Sequence, residues 1–153
     1  MQFAGTEELP YERTTVWEAL HDTNVLKRVI PGCKSMELGE NGEYIVTLSL
    51  GVAAIKGEFE GRARLTDHEF PHHYTLEAEG SGGPGFVKIH MNCYLDAKES
   101  NDCFMRWECE VEAGGLIAGI GGRVLSGVAK FMAKQFFQAV KQELKNYTEL
   151  KAI

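Results

Sequence analysis

Five successive segments alternate apolar and polar residues with a period of two, and this pattern most limits the folds open to the chain. EYIVTLSLGV (43–52) places Tyr44, Val46, Leu48, Leu50 and Val52 on one face. EFEGRARLT (58–66) sets Phe59, Gly61, Ala63 and Leu65 against Glu58, Glu60, Arg62 and Arg64. YTLEAEG (74–80) repeats the alternation, VKIHMNCYL (87–95) turns Val87, Ile89, Met91, Cys93 and Leu95 inward, and CFMRWECEV (103–111) does so with Cys103, Met105, Trp107, Cys109 and Val111. Such runs form an antiparallel sheet with one wet face, so another element must cover the apolar face. The last two read as a hairpin turning near 98–101. A register with Cys93 opposite Cys103 would set Met91 against Met105 and Ile89 against Trp107, all on the buried side.

The cover is the C-terminal segment. From about residue 121 to 147, the apolar positions Val124, Leu125, Val128, Phe131, Met132, Phe136, Ala139, Val140 and Tyr147 occupy about half of a helix circumference. Lys130, Lys134, Lys141 and Lys145 cluster on the opposite side, bordered by Phe137 and Leu144. That face reads as a solvated helix surface, as a weak docking site for an anionic membrane, or as a match for an acidic patch on a partner. Ahead of the sheet, residues 2–9 suit a first strand. Thr15-Val-Trp-Glu18 fits a capping box with Trp17 and Leu20 buried, and a second short helix over about 24–30 stops at Pro31-Gly32. The order of elements is that of a single α+β domain over 1–153, with about seven strands and one long final helix.

Several functions are disfavoured by the residues themselves. The formal net charge of −6 argues against nucleic acid as a partner, because phosphate binding needs a basic footprint. No stretch of about 18 apolar residues is present, and the first residues carry no secretory signal pattern. Cys33, Cys93, Cys103 and Cys109 lack C-x-x-C spacing and lie in or beside apolar runs, which suits reduced, buried thiols rather than zinc or redox chemistry. Asp67, His68, His72 and His73 gather around Pro71 between two strands, where a solvated turn is favoured over a metal site. The glycines of 114–122 match neither G-x-G-x-x-G nor G-x-x-x-x-G-K-[ST], so they serve as a swivel into the helix rather than a phosphate loop.

VWEAL followed by Asp22, IPGC (30–33), GVAAIKGEFEG (51–61), LTDHEFPHHYTL (65–76), AGGLIAGIGGRVL (113–125) and Phe136-Phe137 together resemble the CoxG family of carbon monoxide dehydrogenase subunits, within the START-like helix-grip (SRPBCC) superfamily. The resemblance runs along nearly the whole chain. It implies a curved antiparallel sheet gripping the long C-terminal helix around an elongated apolar cavity. It also implies a lipophilic occupant such as a lipid or isoprenoid quinone, and a role in associating a molybdenum hydroxylase of the carbon monoxide dehydrogenase type with the cytoplasmic membrane. Longer relatives carry a C-terminal extension that looks like an anchor. This chain ends on the polar NYTELKAI, so reversible contact at the inner face of the cytoplasmic membrane is expected instead.

On this reading the cavity wall comprises Leu48, Leu50, Phe59, Phe86, Ile89, Met91, Met105, Trp107, Leu125, Val128, Met132 and Phe136. Lys130, Lys134, Phe137, Lys141 and Lys145 form the membrane or partner surface. His90, Asn92, Glu108 and Glu110 have outward parity, and general acid–base catalysis needs a titratable group within hydrogen-bond reach of substrate. No catalytic residue, metal ligand or cofactor site is therefore assigned, although Glu7 has possible inward parity. A non-catalytic ligand-binding adaptor is favoured, and a small-molecule enzyme of the polyketide cyclase or hydrolase type is the alternative. The glycine-rich 114–122 segment and the Gly80–Gly85 loop would open a cavity mouth if they share one end of the fold.

Overall fold

A computed structural model describes residues 1–52, 55–99 and 101–152. The chain runs β1 (Gln2–Leu9), α1 (Arg13–Leu20), α2 (Thr23–Val29), β2 (Cys33–Leu38), β3 (Glu43–Val52), β4 (Ile55–Glu69), β5 (His73–Gly82), β6 (Gly85–Glu99), β7 (Asp102–Gly115) and α3 (Gly122–Ala152). A single 3-10 turn, Leu116–Gly119, joins β7 to α3. The strands form one seven-stranded antiparallel sheet in the order β1-β7-β6-β5-β4-β3-β2, a meander closed at one edge by the N-terminal strand. This is the helix-grip architecture that the family resemblance implied, built from the antiparallel sheet and covering helix expected from the alternation.

Several local expectations are corrected. Thr15 does not cap α1; it lies inside that helix, which starts at Arg13 after Glu12, and Glu12 makes no side-chain cap. The capping side chain belongs to α2, where Asp22 accepts a hydrogen bond from the Asn24 N–H at 2.9 Å. The β6–β7 register differs by four residues from the one expected. Cys93 faces Trp107, Met91 faces Cys109, Ile89 faces Val111 and Cys103 faces Ala97. An even shift leaves every side chain on its expected face, so alternation alone could not have detected it.

Pro31 and Gly32 end α2 and turn the chain into the edge strand. Gly32 has φ of +74°, and a β-carbon there would overlap the Ser49 carbonyl oxygen, which only glycine avoids. The Ser49 N–H donates to the Gly32 carbonyl at 2.8 Å, tying the turn to β3. The two glycine clusters meet: Gly85 pairs with Gly115, and the Ile117 N–H donates to the Pro84 carbonyl at 3.0 Å. They therefore share one end of the sheet.

The interior divides in two. At one end Leu9, Val16, Trp17, Leu20, Val29, Cys93, Leu95, Cys103, Met105, Phe137, Val140 and Leu144 pack as a core between the sheet, α1, α2 and the C-terminal half of α3, with Leu20, Met105 and Phe137 at its boundary with the hollow end. At the other end Phe59, Ile117 and Leu125 form a much smaller cluster. All four cysteine thiols are free, and Cys93 and Cys103 are buried. Burial pushes the Cys93 thiol up to about 12 and the Cys103 thiol to about 11, from an ordinary value of 9.0. Above pH 9 the unfolded chain loses these protons first, so the folded state binds more of them and stability falls as pH rises from 9 towards 12. Alkylation of the native protein near neutral pH is expected to reach the half-buried Cys33 and Cys109 well before Cys93 and Cys103, with all four labelled after unreduced denaturation. Labelling of only two thiols in the denatured, unreduced chain would show a disulfide.

Candidate functional site: an apolar cavity under the last helix

The strand register explains why the second end is hollow. Val46, Gly61, Gly80, Val87 and Ala113 lie side by side across five strands on the inner face. The next row is Tyr44, Ala63, Ala78, Ile89 and Val111. In both rows β4 and β5 contribute only glycine or alanine, so the middle of the sheet offers almost no side-chain volume beneath the helix. Towards the packed end the rows gain bulk, as in Leu65, Leu76, Met91 and Cys109, and then Tyr74, Cys93 and Trp107. The resulting cavity holds about 510 Å³, within the usual range for small-molecule sites.

Of the residues expected in its wall, Leu48, Leu50, Phe59, Ile89, Met91, Met105, Trp107, Leu125, Val128, Met132 and Phe136 line it. Phe86 does not. The alternation that turns Val87 inward sends Phe86 to the outer face, where it is 39% exposed and covers Gly114; a β-carbon on that glycine would overlap the ring. The small residues Gly61, Ala63, Ala78, Gly80 and Ala113 also line the cavity, as do Leu26, Ile30, Pro31 and Met36 from the α2–β2 side. The small residues escape a reading that looks for bulky apolar side chains. Their signal is a pair of Gly or Ala positions two apart on one face of both β4 and β5, and it becomes legible only once the register aligns the two strands.

The lining is apolar in chemistry as well as shape. Glu60, Arg62 and Glu79 border it, but strand parity points their side chains outward, where Arg62 pairs with Glu43 at 3.1 Å. The titratable side chains left in the wall are phenols and a thiol. Burial raises Tyr74 well above the ordinary tyrosine range and also raises Cys109, so both are neutral. His21 stacks on Trp17 at 4.4 Å and touches the Tyr74 ring at 4.7 Å without joining the lining; burial lowers its pKa. Glu7 has inward parity on β1, yet it is engaged by Lys141 at 2.6 Å and is not part of the wall.

The histidines expected in a turn are drawn apart. Arg13 donates to His72 Nδ1 at 2.8 Å, His73 Nε2 contacts Asn92 Oδ1 at 3.0 Å, and His68 joins the rings of Trp17 and His21. Among the described residues no group of three or more histidine, cysteine or acidic side chains is placed to share a metal ion.

The basic stripe on α3 is only partly as expected. Lys130, Lys134, Lys141 and Lys145 are exposed, but Lys141 is held by Glu7. Phe137 is 7% exposed and Leu144 fully buried, so neither belongs to the surface. The reason is that α1 and α2 pack against the C-terminal half of α3 and widen its buried arc beyond the side facing the sheet. No helix is long and apolar enough to cross a membrane among the described residues.

A sheet gripping a helix over an apolar cavity defines the START-like class of ligand-cavity domains. Within it, the chain belongs to the CoxG family of carbon monoxide dehydrogenase subunits, whose model matches residues 5–145. Among solved structures the chain is similar to a conserved protein from Geobacillus kaustophilus, with 35% identity, 95% of this chain and 96% of that one covered, and a TM-score of 0.92. It is also similar to a START superfamily protein from Mycobacterium smegmatis (10% identity, 95% and 97% covered, TM-score 0.75). A third is the Zhui aromatase/cyclase of a Streptomyces species (13% identity, 97% and 95% covered, TM-score 0.71). The last two likenesses show the fold. No curated protein matches the chain.

Proposed function

We propose that this chain is a non-catalytic accessory protein that holds a lipophilic molecule, a lipid or isoprenoid quinone, in the cavity under α3. In this role it helps a carbon monoxide dehydrogenase-type molybdenum hydroxylase associate with the cytoplasmic membrane. The observation that carries the reading is the lining: about 510 Å³ of apolar space into which no carboxylate or imidazole of the described residues points, Glu60 and Glu79 at its border having outward parity. Such a site rewards an occupant for the apolar area it removes from water, at about 25 cal/mol per Å². Its titratable side chains are phenols and a thiol, with no inward carboxylate or imidazole to act as acid or base, which favours binding over the alternative reading as a cyclase or hydrolase. Family membership supports the choice of enzyme partner.

Native mass spectrometry of the purified protein, followed by solvent extraction, tests the proposal. The expected result is a bound species lost on denaturation and recovered in the organic phase, together with co-purification of the hydroxylase. A chain that carries no lipophile and takes up neither lipid nor isoprenoid quinone would overturn it.

A further inference from the structure

The cover of the cavity is apolar on both sides. Ile117, Leu125 and Met132 line the cavity from within. Their immediate neighbours Leu116, Val124 and Phe131 point to solvent, with exposures of 77%, 46% and 46%. On α3 the pair Val124 and Phe131 is seven residues apart and so lies on one side of the helix, flanking the inward stripe of Leu125 and Met132. Three large apolar side chains exposed on one short stretch are unusual for a surface that meets only water.

Charge follows the same boundary. From Ala113 to Gln142 the chain carries Arg123, Lys130, Lys134 and Lys141 and no acidic residue, although its net charge is −6. Lys141 is engaged by Glu7, whereas Arg123, Lys130 and Lys134 are exposed beside the apolar trio and have no ion-pair partner among the described residues. The first turn of α3 contains no acidic side chain, so its positive end is uncompensated. This element also covers the hollow rather than the solid core: Leu125, Val128, Met132 and Phe136 face the cavity, Phe137 stands at the boundary between cavity and core, and Val140 and Leu144 belong to the packed end.

We propose that the segment Leu116–Lys134 is an interfacial lid, the face by which the protein docks on an anionic bilayer. Leu116, Val124 and Phe131 enter the acyl boundary, and Arg123, Lys130 and Lys134 meet the headgroups. The arrangement is that of an interfacial helix, with an apolar edge flanked by cations. Docking there places the cavity cover itself against lipid, so a lipophile leaving past Ile117 and Leu125 passes between cavity and bilayer without crossing water. The docking stands on the exposed side chains and the charge pattern; only the passage of a ligand rests on the function proposed above.

Co-sedimentation with vesicles of phosphatidylglycerol and phosphatidylethanolamine tests the docking face. Wild type is expected to bind at low salt and to lose part of its binding as added salt screens the cations. Arg123→Gln, Lys130→Gln and Lys134→Gln together should weaken binding by about fivefold per charge removed. Leu116→Asp with Phe131→Asp should reduce it to background, while Lys141→Gln leaves it unchanged. Both aspartates enter exposed positions, and an unchanged melting temperature confirms that the variant folds. Should that pair fold poorly, the glutamine triple decides alone. Wild type that ignores these vesicles, or either lid variant binding them as wild type does, overturns the proposal. In a separate arm, a preloaded fluorescent fatty acid should transfer to vesicles faster from wild type than from the Leu116/Phe131 variant. Failure of wild type to take up the fatty acid would count against the ligand reading, while the sedimentation result still decides the docking face.

Discussion

Replacing Ala63 and Ala78 with phenylalanine is expected to abolish uptake of a lipophilic probe while leaving the protein as stable as wild type or more so. The two alanines are cross-strand partners at the centre of the sheet, and both line the cavity. Their β-carbons already point inward, so larger side chains grow into empty space rather than into packed atoms. Overpacking a filled core usually costs about 1–3 kcal/mol, whereas burying a phenylalanine ring in unoccupied apolar space contributes about 1.5–3 kcal/mol. The sign of the stability change therefore reports whether the interior is hollow. Loss of volume should weaken probe affinity by more than about tenfold, equivalent to roughly 1.4 kcal/mol. The outward-facing Glu79→Gln serves as control. Fluorescence titration and thermal melting check both halves. Undiminished probe binding would place the site elsewhere, and a lower melting temperature would mean that the space is already filled.

The second large effect is at Phe137. As a residue bordering a lysine face, Phe137→Ala would change stability by only a few tenths of a kcal/mol, as surface substitutions do. In the structure it is 7% exposed, crosses Phe136 edge-on with ring centroids 5.1 Å apart, and belongs to the packed core with Val140 and Leu144. Its truncation is expected to cost about 3–5 kcal/mol, and Leu144→Ala about 2–5 kcal/mol. Either is a large share of the roughly 5–15 kcal/mol by which such domains are stable. Lys141→Ala, one turn away, removes an ion pair whose side chains are 45% and 34% exposed, so its cost should be below about 1 kcal/mol. Urea denaturation of the three variants separates these values. Phe137→Ala unfolding at the wild-type midpoint would mean that the C-terminal half of α3 is not docked on α1 and α2.

The division between hollow and packed ends also bears on which half of α3 moves. Its C-terminal half is held by Phe137, Val140 and Leu144 and by the bidentate contact of Arg28 with Glu143, at 2.7 and 3.0 Å. Its N-terminal half rests over the cavity and joins the sheet through Gly115, Gly119, Gly121 and Gly122. Local opening is drawn from segments with few buried apolar contacts. The N-terminal half of α3 is therefore expected to open more readily than the C-terminal half.

Alternation by itself determined the sheet, the inward faces of β3 to β7 and the need for a long covering helix. Period two and period 3.6 are local properties that any correct register preserves. Seven strand residues named for the wall line the cavity for that reason, because parity is indifferent to which inward residue faces which, and four more come from the apolar stripe of α3. Parity also shows why Phe86, one position out of phase with Val87, does not. Tertiary structure alone decided three things. The register brought Gly61 beside Gly80 and Ala63 beside Ala78, and a void exists only where small residues on neighbouring strands coincide. The packing of α1 and α2 against the second half of α3 buried Phe137 and Leu144, because a helix with two sets of partners buries a wider arc than its own stripe shows. Finally, the pairing of Gly85 with Gly115 put both glycine clusters at the cavity end, leaving Leu116, Val124 and Phe131 exposed over an apolar interior. Each depends on contacts between residues far apart in the chain, which no window along a single sequence contains.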